Sequence, residues 1–220
     1  MRGLGDACRA LAAPVVGGNV SLYNEGSEGP IYPTPVVGMV GLLPDPATVP
    51  GMGFRAEGHE IALVGPFRPA QAGSELEKLS GGLADGLPAI DLEEHGRALK
   101  LVRQAVRDGL VASAHDVSDG GLAVALSECC IAGRLGAEIA LDEPDSALEA
   151  LFGEGPGGFV VSGTAEALAQ IAERVGSGGY RRLGRVAGNR LVIAGSTASL
   201  ALPVADLVAA FESGIPAKFS

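Results

Sequence analysis

The sequence predicts an α/β protein of layered strands and helices, and three observations carry that prediction. From residue 60 onward, short apolar runs of strand length alternate with runs at helical spacing. Aromatic residues make up only 4% of the chain and Trp is absent, so its core must be built from Val, Leu, Ile and Ala. Glycine is abundant, at 34 residues, and supplies the turns that many short elements require.

The elements follow in order. Asp6 to Ala13 reads as the end of a helix stopped by Pro14, and Val15-Val16 as a strand entering the polar loop Gly17 to Ser21. Asn24 to Pro35 is a Gly/Pro/Glu-rich surface loop, and Val36 to Leu43 is a nearly unbroken apolar strand of the buried kind. One helix end and two strands cannot close a core, so this first part is expected to be an incomplete domain. The Pro/Gly-rich stretch 44–58 marks the boundary.

Beyond the boundary, Glu60 to Val64 is a strand. Asp91 to Asp108 is a helix with Leu92, Leu99, Val102 and Val106 on one stripe, Asp91 and Glu94 as an acidic capping box and Gly109 as its stop. Ser118 or Asp119 is expected to open a second, nearly all-apolar and therefore buried helix that runs to Ala132. Then come a strand (Ala137 to Leu141), a short helix (Ala147 to Phe152) and a strand (Phe159 to Ser162). A helix capped by Thr164, a strand (Leu191 to Ala194) and a last helix holding Leu207 to Phe211 complete the series.

Net charge is −10, and no basic patch is visible, which argues against nucleic acid as a partner. No apolar run reaches membrane-spanning length, and Arg2 to Val15 holds no signal-peptide core. Three cysteines, two of them adjacent (Cys129 and Cys130), cannot make an ordinary disulfide framework. A soluble, cytoplasmic protein is expected.

Two segments carry candidate chemistry. In Gly17-Gly18-Asn19-Val20-Ser21 the glycines let backbone amides approach phosphate oxygens, and the Asn19 carbonyl is a hard oxygen suited to Mg²⁺. Ser21, two residues on, lies on the same side of an extended chain and can bond the same ligand. Gly-Gly-Asn is equally ordinary turn chemistry, and the residues alone leave both readings open. In Ser113 to Gly121 (SAHDVSDGG), His115, Asp116 and Asp119 suggest a metal or acid–base site, although helix capping explains the same polar residues more simply. Asp116 stays a candidate Mg²⁺ ligand because a carboxylate beside a helix start and a phosphate can hold that ion.

Gly153 to Gly158 fits GxGxxG, but it follows a helix and precedes a strand, the reverse of a dinucleotide fingerprint. His59 and His95 read as structural, and Cys129-Cys130 as small buried hydrophobes. No GxxxxGK[ST], HExxH, GxSxG or CxxC occurs.

The stretch Ala13 to Glu25 (APVVGGNVSLYNE), followed by Ile31 to Gly38 (IYPTPVVG), closely resembles the small form of the phosphoribosylformylglycinamidine synthase subunit II family. The Ser113–Gly121 motif resembles the signature of the wider aminoimidazole ribonucleotide synthetase superfamily. The resemblance implies the C-terminal portion of that fold: the end of a second N-terminal, ATP-binding domain (1–52), a whole C-terminal-type domain (57–197), and a C-terminal helix and tail (198–220).

The resemblance also implies an ATP-dependent ligase of purine biosynthesis. It would convert formylglycinamide ribonucleotide, ATP and glutamine-derived ammonia to formylglycinamidine ribonucleotide, ADP and phosphate. Partners would be a glutamine amidotransferase subunit and a small accessory subunit. Position by position, Gly18 matches an ATP contact, Asn19 a Mg²⁺ ligand and Ser21 a substrate contact, while Asp116 and Ser118 resemble an auxiliary metal and nucleotide site of larger relatives. The family's catalytic histidines have no counterpart in this chain, so the chain is expected to be inactive alone. Where the first copy of the family fold carries a substrate-binding Glu-Ser-Gln loop, this chain has Glu154-Gly155-Pro156, which lacks the hydroxyl and amide and is not expected to hold substrate. Two rivals are a non-catalytic assembly module, suggested by the strand edges of an incomplete domain, and another ATP-dependent kinase of the superfamily.

Overall fold

No described residue before Gly53 is buried, and the packed core of the described residues lies beyond that point. The computed structural model describes residues 2–82, 86, 89–141, 147–176, 178–195 and 199–219, and the chain falls into two units, 1–47 and 48–220.

The first unit has little regular structure. Helix α1 spans Arg2–Ala10, and strands β1 (Glu25–Gly26) and β2 (Gly29–Pro30) form a minimal antiparallel hairpin. The strands expected at Val15-Val16 and Val36 to Leu43 are absent: Val36 and Val40 are 94% and 98% exposed, and neither segment joins a ladder among the described residues. A strand is stabilised by pairing and by a covered face. This unit provides neither for those segments.

The second unit is one seven-stranded sheet with helices on both faces. Its elements are β3 (Glu60–Val64), α2 (Glu75–Leu79), α3 (Leu92–Arg107), β4 (Ser113–Asp116), α4 (Gly121–Gly133), β5 (Ala137–Leu141) and α5 (Ala147–Phe152). They continue with β6 (Phe159–Gly163), α6 (Ala165–Val175), β7 (Tyr180–Val186), β8 (Arg190–Gly195), β9 (Ser199–Pro203), α7 (Val204–Ser213) and α8 (Pro216–Phe219). The strand order is β4-β6-β3-β7-β5-β8-β9; every neighbouring pair is antiparallel except β5–β8, which is parallel.

Side-chain alternation divides the core in two. Ile61 and Leu63 of β3, Val160 of β6 and Ile139 of β5 pack with Leu122, Leu126 and Cys129 of α4 and Val208 of α7. Ala62, Val64 and Val161 point the other way, onto Val102 and Ala105 of α3 and Leu168 and Ile171 of α6. Covered on both sides, β3 and β6 read as continuous apolar runs, whereas β5 buries Ala137, Ile139 and Leu141 and exposes Glu138 and Ala140.

Several local expectations need correction. The Asp91 carboxylate caps α3 through the amides of Glu93 and Glu94, but Glu94 turns away to bond Arg68, so the reciprocal half of the capping box is missing. Helix α4 starts at Gly121 with Gly120 at the cap position (φ 80°) and no side-chain cap, so neither Ser118 nor Asp119 opens it. It runs through Gly133, one residue past the expected Ala132, and Arg134, held left-handed, closes it. Strands β4, β7 and β9 and the short α2 add to the expected set. Among the described residues, no helix is long and apolar enough to cross a membrane.

Candidate functional site

The first candidate segment, Gly17 to Ser21, is an exposed loop with nothing within 4 Å of where a Cβ on Gly17 or Gly18 would stand. The Asn24 amide donates to the Ser21 carbonyl at 2.6 Å, and the Ile31 amide to the Asn24 carbonyl at 3.1 Å, tying the loop's far end to the β1–β2 hairpin. Asn19 and Ser21 are exposed. The open backbone at Gly17-Gly18 is room for a ligand to meet main-chain amides directly, consistent with either reading of these residues.

The second segment lies in the other unit. Strand β4 is the sheet's edge, and its end carries His115 and Asp116 into a turn, Val117 to Gly120, that leads to α4. Within the turn Val117 is buried while Ser118 and Asp119 are exposed. His115 Nε2 lies 2.9 Å from Glu128 Oε2 on α4, and its Nδ1 lies 3.3 Å from Asp116 Oδ1. The imidazole is therefore fixed between two carboxylates, with 14% of its side chain exposed against 61% for Asp116.

A cleft of about 600 Å³ opens beside it, walled by His95, Leu99 and Val102 of α3, by Ala114 to Val117, and by the loop Pro156 to Phe159. Its lining sets His95, His115 and Asp116 among apolar side chains. His95, expected to be structural, faces this cleft with a buried Nδ1 that has no hydrogen-bond partner among the described residues. His95 falls three residues after Leu92 and four before Leu99, on the predicted stripe, but the cleft it faces depends on β4, which local sequence does not reveal.

The loop after α5 underlies the turn. Gly153 to Gly158 does follow a helix and precede a strand, as expected of a segment that is not a dinucleotide fingerprint. The Glu154 carboxylate accepts from the amides of Gly120 and Glu75, both at 2.8 Å. It is thus engaged within the protein.

Among the described residues no group of three or more His, Cys, Asp or Glu side chains is placed to hold a metal ion. Asn19 and Asp116 are hard oxygen donors of the kind Mg²⁺ takes, and both are exposed. Either alone would fill only part of an octahedral shell, which phosphate oxygens and water ordinarily complete for this ion.

With this geometry in hand, comparison with known proteins is decisive on family. The family described as AIR synthase related protein, C-terminal domain, matches residues 56–195. The chain belongs to this AIR synthase related family. Subunit PurL of phosphoribosylformylglycinamidine synthase from Anaeromyxobacter sp. (strain Fw109-5) is 45% identical over 231 residues, covering 99% of this chain and 30% of that protein. The same subunit from Nostoc punctiforme is 46% identical over 175 residues, 74% of this chain and 22% of that protein. The chain therefore spans less than a third of the length of these curated relatives.

Among solved structures, T. maritima PurL complexed with FGAR superposes with a TM-score of 0.64 at 21% identity, over 74% of this chain and 30% of that one. The hydrogenase maturation protein HypE gives 0.51 at 20% identity, over 73% of this chain and 56% of that one. These two likenesses speak to the AIR synthase related fold.

Proposed function

We propose that this AIR synthase related chain forms part of an ATP-dependent carbon–nitrogen ligase, a phosphoribosylformylglycinamidine synthase of purine biosynthesis. The observation that carries the reading is the 45% identity with an Anaeromyxobacter PurL along 99% of the chain, which includes both candidate segments. The reaction joins formylglycinamide ribonucleotide, ATP and ammonia into formylglycinamidine ribonucleotide, ADP and phosphate. ATP phosphorylates the amide oxygen, and ammonia then displaces the phosphate from the activated carbon.

In this reading, residues 1–52 end an ATP-binding domain, 57–197 form the C-terminal-type domain, and 198–220 form a terminal extension. Gly18 meets ATP through its backbone, Ser21 contacts the ribonucleotide, and Asn19 gives Mg²⁺ one neutral oxygen. Bound there, Mg²⁺ supplies charge neutralisation where two anionic substrates meet. Asp116, with Ser118, belongs to an auxiliary metal and nucleotide site. Catalytic histidines and most Mg²⁺ carboxylates come from polypeptide beyond this segment, and ammonia from an amidotransferase subunit with a small accessory subunit, in the cytoplasm. The mismatch in length supports this division of labour.

The test is Asn19→Ala in an intact synthase containing this segment, with Mg²⁺ and ATP affinity measured by calorimetry. Loss of one metal ligand is expected to weaken Mg·ATP by about ten- to a hundredfold. Unchanged affinity for both metal and nucleotide overturns the assignment of the loop.

A further inference from the structure

The turn that presents Asp116, Ser118 and Asp119 has no side-chain cap of its own, yet it is held at three points by the loop after α5. The Val117 amide donates to the Gly158 carbonyl at 2.8 Å. The Gly120 amide donates to Glu154 Oε1 at 2.8 Å. Gly121 sits so close to the same loop that a Cβ there would stand 2.5 Å from the Gly153 carbonyl oxygen. The same Glu154 oxygen also accepts from the Glu75 amide at the start of α2, 79 positions away in sequence, and the Glu154 backbone pairs with Ala70 in both directions.

We propose that Glu154 is a positioning residue: its carboxylate takes the place of a helix cap and fixes the turn 117–120, and with it the direction of Asp116 and Ser118, against α2 and the cleft wall. A backbone amide left without an acceptor is costly, and an ionised acceptor makes the stronger bond. Here one oxygen serves two such amides from elements distant in the chain. The Glu154 carboxylate is thus turned inward, onto the protein's own backbone. The value of the turn to function rests on the reading of Asp116 and Ser118 given above; the clamp itself does not.

Amide hydrogen exchange on the 220-residue chain, compared among wild type, Glu154→Ala and Glu154→Gln, tests the inference. Protection at Gly120 and Glu75 is expected to fall by at least about tenfold in Glu154→Ala while the amides of β3 and β6 keep theirs. Gln retains an acceptor oxygen at the same reach, and is expected to restore protection to within about threefold. If the alanine chain does not fold, Glu154→Asp, one methylene too short to span both amides, replaces it. Unaltered protection in the truncated variants, or a loss just as large with Gln, overturns the clamp. Titrating the wild-type chain with Mg·ATP separates the two claims: no binding at the auxiliary site counts against the functional reading alone.

Discussion

Cys129 and Cys130 stand side by side in α4, both fully buried among apolar neighbours. Burial pushes the Cys130 thiol up to about 12 and the Cys129 thiol higher still, with its neighbours Cys130 and Glu128 adding to the rise. Thiolate is the reactive form, so both are expected to resist modification. Cys8, half-buried on α1, lacks that protection. An aromatic disulfide reagent at neutral pH should titrate one thiol in the folded chain and three after denaturation; rapid reaction of all three in the native state would contradict this packing. Their reading as small hydrophobes was available from sequence because Leu122, Val124, Ala125, Leu126 and Ile131 make the helix apolar nearly all round. His95 shows the opposite case. Its place on the α3 stripe was visible, but the cleft it faces is made by β4 and the 156–159 loop, which local sequence does not bring together.

At the scale of elements, caps separate what the sequence revealed from what it hid. Thr164 was predicted to cap α6, and its hydroxyl does accept from the Ala167 amide. Thr164→Ala is expected to lower stability by about 1 kcal/mol, read from the denaturant midpoint, with a Ser replacement close to wild type. A loss within error for alanine would show that the cap contributes nothing. Helix α6 was legible because the period, the cap and the burial of one face agree; on α3 the Asp91 cap was legible, but of the expected stripe only Val102 is fully buried, beside Gly96, Ala98 and Ala105. The start of α4 was not, since its cap comes from Glu154, 34 positions after Gly120. Strand β7 was hidden for another reason: Arg181, Arg182 and Arg185 occupy its exposed positions and leave no alternation that a simple count detects. Two of these arginines bond Glu60 on β3 and Glu138 on β5, so their charges meet partners across the sheet. The segment 36–43 fails in reverse, a strand by composition with nothing to pair with.

The whole molecule is uneven in the same sense. Both core clusters lie between Phe54 and Val208, and no described residue of the first unit belongs to either. A chain beginning at Thr48 is expected to unfold at the same temperature as the full chain to within about 2 °C, because it keeps every core residue. It should also bind far less of a dye that fluoresces on exposed apolar surface, since Val15, Val16, Leu22, Val36, Val40 and Leu42 go with the deleted part. A large drop in melting temperature would mean that the first unit stabilises the second. Fold class followed from sequence because the alternation of elements is strong; strand order did not, as five of the six neighbouring pairs join strands that are not consecutive in the chain.

The position of β3 has one more consequence, for a chain emerging from the ribosome. It is the earliest strand of the large sheet, yet it pairs with β6 on one side and β7 on the other; Arg182 meets Glu60 across 122 positions of sequence. At ordinary rates of synthesis, β3 waits roughly 5 to 20 s for those partners. For that interval Ile61 to Val64 is an apolar strand with two open edges, the kind of segment that holding chaperones bind. The first strand of the sheet to be made waits the longest for its neighbours.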